Sequence, residues 1–175
     1  MKKIWTIGHS TRGLAEFIEI LKFFHIQVLA DVRSFPGSKK FPHFNKELLA
    51  ASLEAHSIEY IHFPELGGRR KPSKDSKNTA WKNEGFRAYA DYMETESFKN
   101  GIEKLIETAH LKNTAYMCSE AVWWRCHRSM ISDYLKSKGW EVFHIMGINK
   151  VQPHPFTSPA RVIQGTLDYS KKTKE

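Results

Sequence analysis

The densest group of reactive side chains in this sequence runs from Cys118 to Ser129: Cys118-Ser119-Glu120, then Trp123-Trp124-Arg125, then Cys126-His127-Arg128-Ser129. A cysteine at a helix N-terminus beside cations has its thiolate stabilised, which makes Cys126 a candidate nucleophile. In the same stretch Glu120 can act as a general acid or base, Arg125, His127 and Arg128 can bind an anion, and Trp123 can form an apolar or stacking wall. Three plainer readings stand beside this one. Cys118, Cys126 and His127 have usable metal-ligand atoms, yet two cysteines eight positions apart lack the short paired spacing of a structural zinc site. A thiol-disulfide pair is set aside because there is no Cys-x-x-Cys. The cysteines can also be small buried hydrophobes.

Three further clusters follow short apolar runs. Gly8-His9-Ser10 offers a sharp turn, a base or phosphate donor in His9, and a helix start with free N–H groups; the plain reading is that Ser10 caps the helix. Asp31-Val32-Arg33 puts two opposite charges on one strand face, where they either share a ligand with the site or close a loop as a structural pair. Gly67-Gly68-Arg69-Arg70-Lys71 lets backbone approach a phosphate that Arg69 and Arg70 neutralise, although a turn followed by solvated charges explains the same string.

These residues need elements to hold them. Lys3 to Ile7 reads as a strand, Leu14, Phe17, Ile18, Leu21 and Phe24 as one helix face capped by Ser10 or Thr11, and Val28 to Val32 as a second strand. Asn45 can cap a helix carrying Leu48, Leu49 and Leu53, and Ile58 to Phe63 is strand three. From Pro64 to Arg87 the chain is polar, with seven Lys/Arg against three acids, and reads as a long exposed loop. Helices follow around Phe86 to Met93 and through Phe98, Ile102, Leu105, Ile106 and Ala109, then strand four at Thr114 to Cys118. A helix with Met130, Ile131, Tyr134 and Leu135 ends near Gly139, and Trp140 to Ile145 is strand five. From Gly147 the chain reads as loop-rich, ending in a Lys-rich tail.

Strand and helix alternating five times predict one α/β domain over residues 1–175: an open, mostly parallel five-stranded sheet in a three-layer, Rossmann-like sandwich, with ligands beyond the carboxyl ends of the strands. Its 41% apolar and 13% aromatic content supplies a core and excludes a wholly disordered chain. No run approaches the roughly 18 apolar residues of a spanning helix, and the first ten residues lack a secretory h-region, so the expectation is a soluble, cytoplasmic protein. Two cysteines exclude a disulfide-stapled scaffold. A formal charge of +8 favours anionic partners, a nucleotide or nucleic acid among them.

Thr6-Ile7-Gly8-His9-Ser10, Asp31-Val32-Arg33 with Pro36 and Ser38, Phe44-Asn45, Tyr60 with Leu66-Gly67-Gly68, Tyr89-Ala90, and Met117-Cys118-Ser119-Glu120 with Cys126-His127-Arg128 resemble, in order, the signature blocks of the bacterial and archaeal domain of unknown function 488 family. Ser119 stands where members often carry alanine. The resemblance implies the α/β fold and the positions His9, Ser10, Asp31, Arg33, Cys118, Glu120, Cys126, His127 and Arg128, and it names no reaction or cofactor. Two functions are then expected in competition. The first is an enzyme on a nucleotide, nucleic acid or other phosphorylated substrate, with Glu120, Asp31, His9 or Cys126 in the chemistry. The second is a non-catalytic nucleic-acid-binding or regulatory module using the basic loop and Trp81, Phe86, Trp123 and Trp124. Converging Asp31, Cys118 and Glu120 favour the enzyme.

Overall fold

The computed structural model describes residues 2–171, so all but the first residue of the Lys-rich tail lies outside the described residues. Apolar and β-branched runs become the strands β1 (Lys3–Gly8), β2 (Val28–Asp31), β3 (Glu59–His62), β4 (Thr114–Cys118) and β5 (Glu141–Gly147), which pair in parallel. The helices α1 (Leu14–Phe23), α2 (Lys46–Glu54), α3 (Glu84–Tyr92), α4 (Glu96–Leu111) and α5 (Arg128–Ser137) lie between and beside them. Two are capped as helix physics prefers, Asn83 accepting from Phe86 N and Thr95 from Phe98 N.

Strand alternation sorts the core into two halves. Ile4, Ala30, Val32 and Tyr116 face α3, α4 and α5, whereas Ile7, Leu29, Ala115 and Met117 face α1 and α2, completing a three-layer α/β sandwich. Residues two apart from Ile4 and Tyr116 therefore share the α5 side, which is how Thr6 and Cys118 come to face that helix.

The sheet has six strands, not five, in the order β3-β2-β4-β1-β5-β6. The sixth, β6 (Lys150–Pro153), pairs antiparallel with β5, and a separate hairpin joins β7 (Arg161–Ile163) to β8 (Thr166–Asp168). An edge strand with one lysine, one glutamine and a terminal proline carries little apolar signal, so this segment reads as loop although His154 and Tyr169 are buried in it.

Three local expectations are corrected. Neither Ser10 nor Thr11 caps α1; Gly13 stands at that position, and Ser10 instead takes a left-handed turn with φ 50°. Asn45 occupies the cap of α2, but its side chain accepts from Ser38 N, seven residues back. The 64–87 excursion is loop only from Gly67 to Asn83: Pro64–Leu66 forms a 3-10 turn that buries Leu66, and α3 starts at Glu84. Among the described residues no helix is long and apolar enough to cross a membrane.

Candidate functional site

The connection after β1 leads toward β2, whereas the connection after β4 crosses β1 to reach β5. The β1 connection passes over β4 on the α1 face and the β4 connection passes over β1 on the α5 face, so two neighbouring strand ends send the chain to opposite faces of the sheet, which opens a crevice there. The strands remain zipped past their ends, His9 N donating to Cys118 O at 2.9 Å and Ser10 N to Ser119 O at 3.0 Å. This brings the Glu120 carbonyl directly over Gly8, where an added Cβ would lie 1.6 Å from that oxygen. Gly8 is required by this close approach. Gly8→Ala should displace the 119–121 loop and cost at least the roughly 1–3 kcal/mol of an overpacked core, read as a lower midpoint in urea unfolding. An unchanged midpoint would refute that requirement.

The loops enclose a cleft of about 840 Å³ at the carboxyl edge of the sheet. His9 and Ser10 enter it from β1, Arg33 from the segment after β2, Cys118 and Glu120 from β4, and Arg125, Cys126 and His127 from the approach to α5. Gly68 and Arg69 close one wall, and Phe35, Phe41 and Phe86 add aromatic surface. Lys40, Arg33, Arg69 and Arg125 give it four cations, and Glu120 is the one carboxylate among its lining residues.

Asp31 lies beneath this lining, fully buried, because its carboxylate is consumed by Arg33. Arg33 Nε donates to Oδ1 at 2.9 Å, Nη2 to Oδ2 at 2.7 Å, and the Arg33 backbone N–H to Oδ1 at 3.1 Å, while Tyr60 OH adds a fourth bond. Bidentate pairing of this kind fixes a guanidinium's plane. Arg33 Nη2 also donates to Phe44 O at 2.7 Å, so Nη1, with one 3.4 Å contact to His9 Nε2, is the nitrogen with donor capacity to spare. His9 donates from Nδ1 to Ser10 O at 2.9 Å and stacks on Phe44 at 4.2 Å. Burial, reinforced by Arg33, lowers its pKa to about 4, leaving a neutral imidazole with an Nε2 lone pair.

The two cysteines, set apart in sequence, meet in space. Cys118 ends β4, a 3-10 turn at Trp123–Arg125 folds the chain back, and Cys126 arrives with its Sγ 3.0 Å from Cys118 Sγ. Absence of Cys-x-x-Cys therefore misleads, since tertiary folding supplies the proximity that the motif supplies locally. Arg128 Nε donates to Cys118 Sγ at 2.9 Å and the Arg128 backbone N–H to Cys126 Sγ at 3.3 Å. Burial alone would push the Cys126 thiol up. The hydrogen bond with Cys118 and the Arg128 charge outweigh it and hold Cys126 well below its ordinary value, while burial and the neighbouring sulfur push Cys118 well above.

Arg128 is 1% exposed and does not line the cleft; it holds the floor together, with Nη2 on Glu120 O at 2.8 Å and Nη1 on Thr6 Oγ1 at 3.0 Å. His127 lines the cleft with Nε2 donating to Val32 O at 2.8 Å, and Gly68 packs flat against its ring. That nitrogen is unavailable to a cation, and among the described residues no group of three His, Cys, Asp or Glu is gathered as a metal set. Glu120 is exposed, and its carboxylate has no side-chain partner among the described residues. Arg70 folds away from the cleft onto Tyr92, its guanidinium 3.6 Å from the ring centre. Trp123 is also outside, stacked on His144 at 4.5 Å with Nε1 donating to Gln152, and Trp81 packs between Phe86 and Tyr169.

A buried polar chain missed by sequence reading runs behind the cysteines. Arg128 can only donate to Thr6, so the Thr6 hydroxyl donates onward to His144 Nδ1 at 2.6 Å; His144 Nε2 donates to His154 Nδ1 at 2.8 Å, and His154 Nε2 to Asp133 Oδ1 at 2.8 Å. Asp133 is further held by Thr157 N at 3.0 Å, the Thr157 hydroxyl, and Tyr169 OH at 2.7 Å. Every link has one consistent donor direction, from guanidinium to carboxylate. The sequence signal was a histidine inside an apolar strand, His144, in register with Thr6.

Comparison with known proteins gives one family. The family model described as Domain of unknown function DUF488 matches residues 13–135, more than two thirds of the chain. That span holds α1 through α5 apart from the last two residues of α5 and leaves out Gly8-His9-Ser10 and His144. No curated protein and no solved structure matches.

Proposed function

The chain belongs to the DUF488 family, and from that premise and the cleft chemistry we propose that it is an enzyme acting on a nucleotide or another phosphorylated substrate. The observation that carries this reading is the charge of the cleft lining, four cations to one carboxylate, at a divergence of strand connections. Arg33 Nη1, Arg69 and Arg125 bind the anion, with charge-assisted hydrogen bonds favouring phosphate over neutral ligands. Phe35, 71% exposed at the rim with the Arg69 guanidinium 5.5 Å from its ring centre, offers a stacking face to a base.

Glu120 is the acid or base, and His9 Nε2, neutral at physiological pH, is a second proton acceptor. Cys126, lining the same cleft as a stabilised thiolate, is the nucleophile if the reaction is covalent. Asp31 and Arg128 act beneath them as anchors. The competing non-catalytic module loses two of its stacking rings, since Trp81 and Trp123 are occupied within the protein.

Calorimetric titration of nucleoside mono-, di- and triphosphates, with uncharged nucleosides as controls, tests the assignment. Phosphorylated ligands should bind, Arg69→Ala with Arg125→Ala should weaken them at least about tenfold, and affinity should fall with salt. Glu120→Gln should abolish turnover of the ligand that binds while shifting stability by no more than about 0.5 kcal/mol, because the carboxylate is exposed and unpaired. Binding confined to long single strands, with no turnover, would overturn the enzyme in favour of the binding module.

A further inference from the structure

Cys118 and Cys126 present two sulfurs in contact at the floor of an open cleft, with different surroundings. Cys126 Sγ accepts the Arg128 backbone N–H near the start of α5, whereas Cys118 Sγ is tied to the Arg128 side chain at the end of β4. Both border the cleft while remaining buried, Cys126 8% and Cys118 3% exposed, so the cleft is the side from which a disulfide would approach and Cys126 the less covered of the two. Two free thiols at 3.0 Å are closer than any packing need of small hydrophobes demands, and each is hydrogen-bonded to Arg128.

We propose that Cys118 and Cys126 are a redox-active dithiol that exchanges with small anionic disulfides, Cys126 attacking and Cys118 resolving. The Cys126 thiolate attacks one sulfur of the disulfide, the S–S bond breaks, and the first half leaves as a thiolate. Cys118 then gives up its proton and its Sγ attacks Cys126 Sγ, expelling the second half, which takes that proton. The protein loses two electrons in forming one intramolecular S–S bond, and the external disulfide is reduced to two thiols. The cationic cleft selects for anionic disulfides by the same charges that would bind phosphate. The thiol chemistry itself does not depend on the nucleotide reading.

The test uses the folded wild-type protein, reduced and freed of reductant, with the dianionic Ellman disulfide as probe and no other ligand. Two equivalents of the coloured thiol per chain should be released, with no probe retained and a protein mass lower by two hydrogens. Cys118→Ser should release one equivalent and keep the adduct. Cys126→Ser should react more slowly by at least about tenfold, since the remaining thiol lacks the stabilised thiolate. Dicationic cystamine should react more slowly than the Ellman disulfide, and the gap should narrow in high salt. Wild-type protein that retains one or two probe adducts, or does not react while folded, overturns the dithiol, and this result needs no substituted protein. Failure of nucleotide binding leaves these readouts untouched.

Discussion

Arg128→Leu should unfold at a temperature lower by roughly 6–20 °C than the parent protein. The side chain is 1% exposed and its three nitrogens serve Cys118 Sγ, Thr6 Oγ1 and Glu120 O, joining β4, β1 and the loop between β4 and α5. Leucine leaves those acceptors dry and unpaired, and breaking a buried charged network by removing one partner costs about 3–5 kcal/mol. For a chain of this size each kcal/mol lowers Tm by roughly 2–4 °C. Arg128→Lys should recover little, since one ammonium cannot span three acceptors that a planar guanidinium reaches together. A double-mutant cycle with Thr6→Val supplies the control. The losses should be less than additive, because the second substitution removes an interaction already gone. A Tm shift below about 2 °C for Arg128→Leu would mean that the network contributes nothing and that Arg128 is held by packing alone.

The second large effect is with acid. His9 and His144 are buried as neutral imidazoles: burial, with Arg33 nearby, lowers His9 to about 4, and burial, with His154 and Arg128, lowers His144 to about 2. In the unfolded chain both titrate near 6.5. Between those values the unfolded state holds a proton that the native state refuses, so stability is intact above about pH 6.5 and is lost as pH falls. Each group contributes a slope of about 1.4 kcal/mol per pH unit, and the pair removes on the order of 5 kcal/mol by about pH 4.5, a large part of the 5–15 kcal/mol typical of a domain. Urea unfolding at stepped pH should show this slope beginning near 6.5, and His9→Gln and His144→Gln should each remove about half of it. A flat profile from pH 7 to 5 would show that the native state takes up these protons freely.

Much of the architecture was legible because it rests on local rules. β4 was expected at Thr114 to Cys118 and forms there, since β-branched and aromatic residues bounded by polar ones have one good solution at that length. α4 follows its apolar spacing, and Phe98, Ile102 and Leu105 are all buried. The rule that ligands lie beyond strand ends drew attention to His9, Arg33, Glu120 and Cys126, all of which line one cleft.

Where local rules weaken, so did the reading. β6 and the β7–β8 hairpin are short, polar on one side and placed at an edge, so their stabilisation comes from partners distant in the chain. Trp123 and Arg70 looked like ligand contacts because residue type was all that spoke for them, and each had a partner inside the protein instead.

Residue type and order carried the family, the alternating α/β plan and the chemical inventory of the cleft, because each is written in neighbouring side chains and their period. Tertiary structure alone decided which members of that inventory stand free. It spent Asp31 on Arg33 and Arg128 on the loop carbonyl, left the Glu120 carboxylate exposed, and closed Thr6, His144, His154 and Asp133 into one buried chain. It also set Cys118 against Cys126. Partnership between groups far apart in sequence depends on strand order and register, and a hydrogen bond is made or lost within about half an ångström, a distance that no spacing rule along the chain encodes.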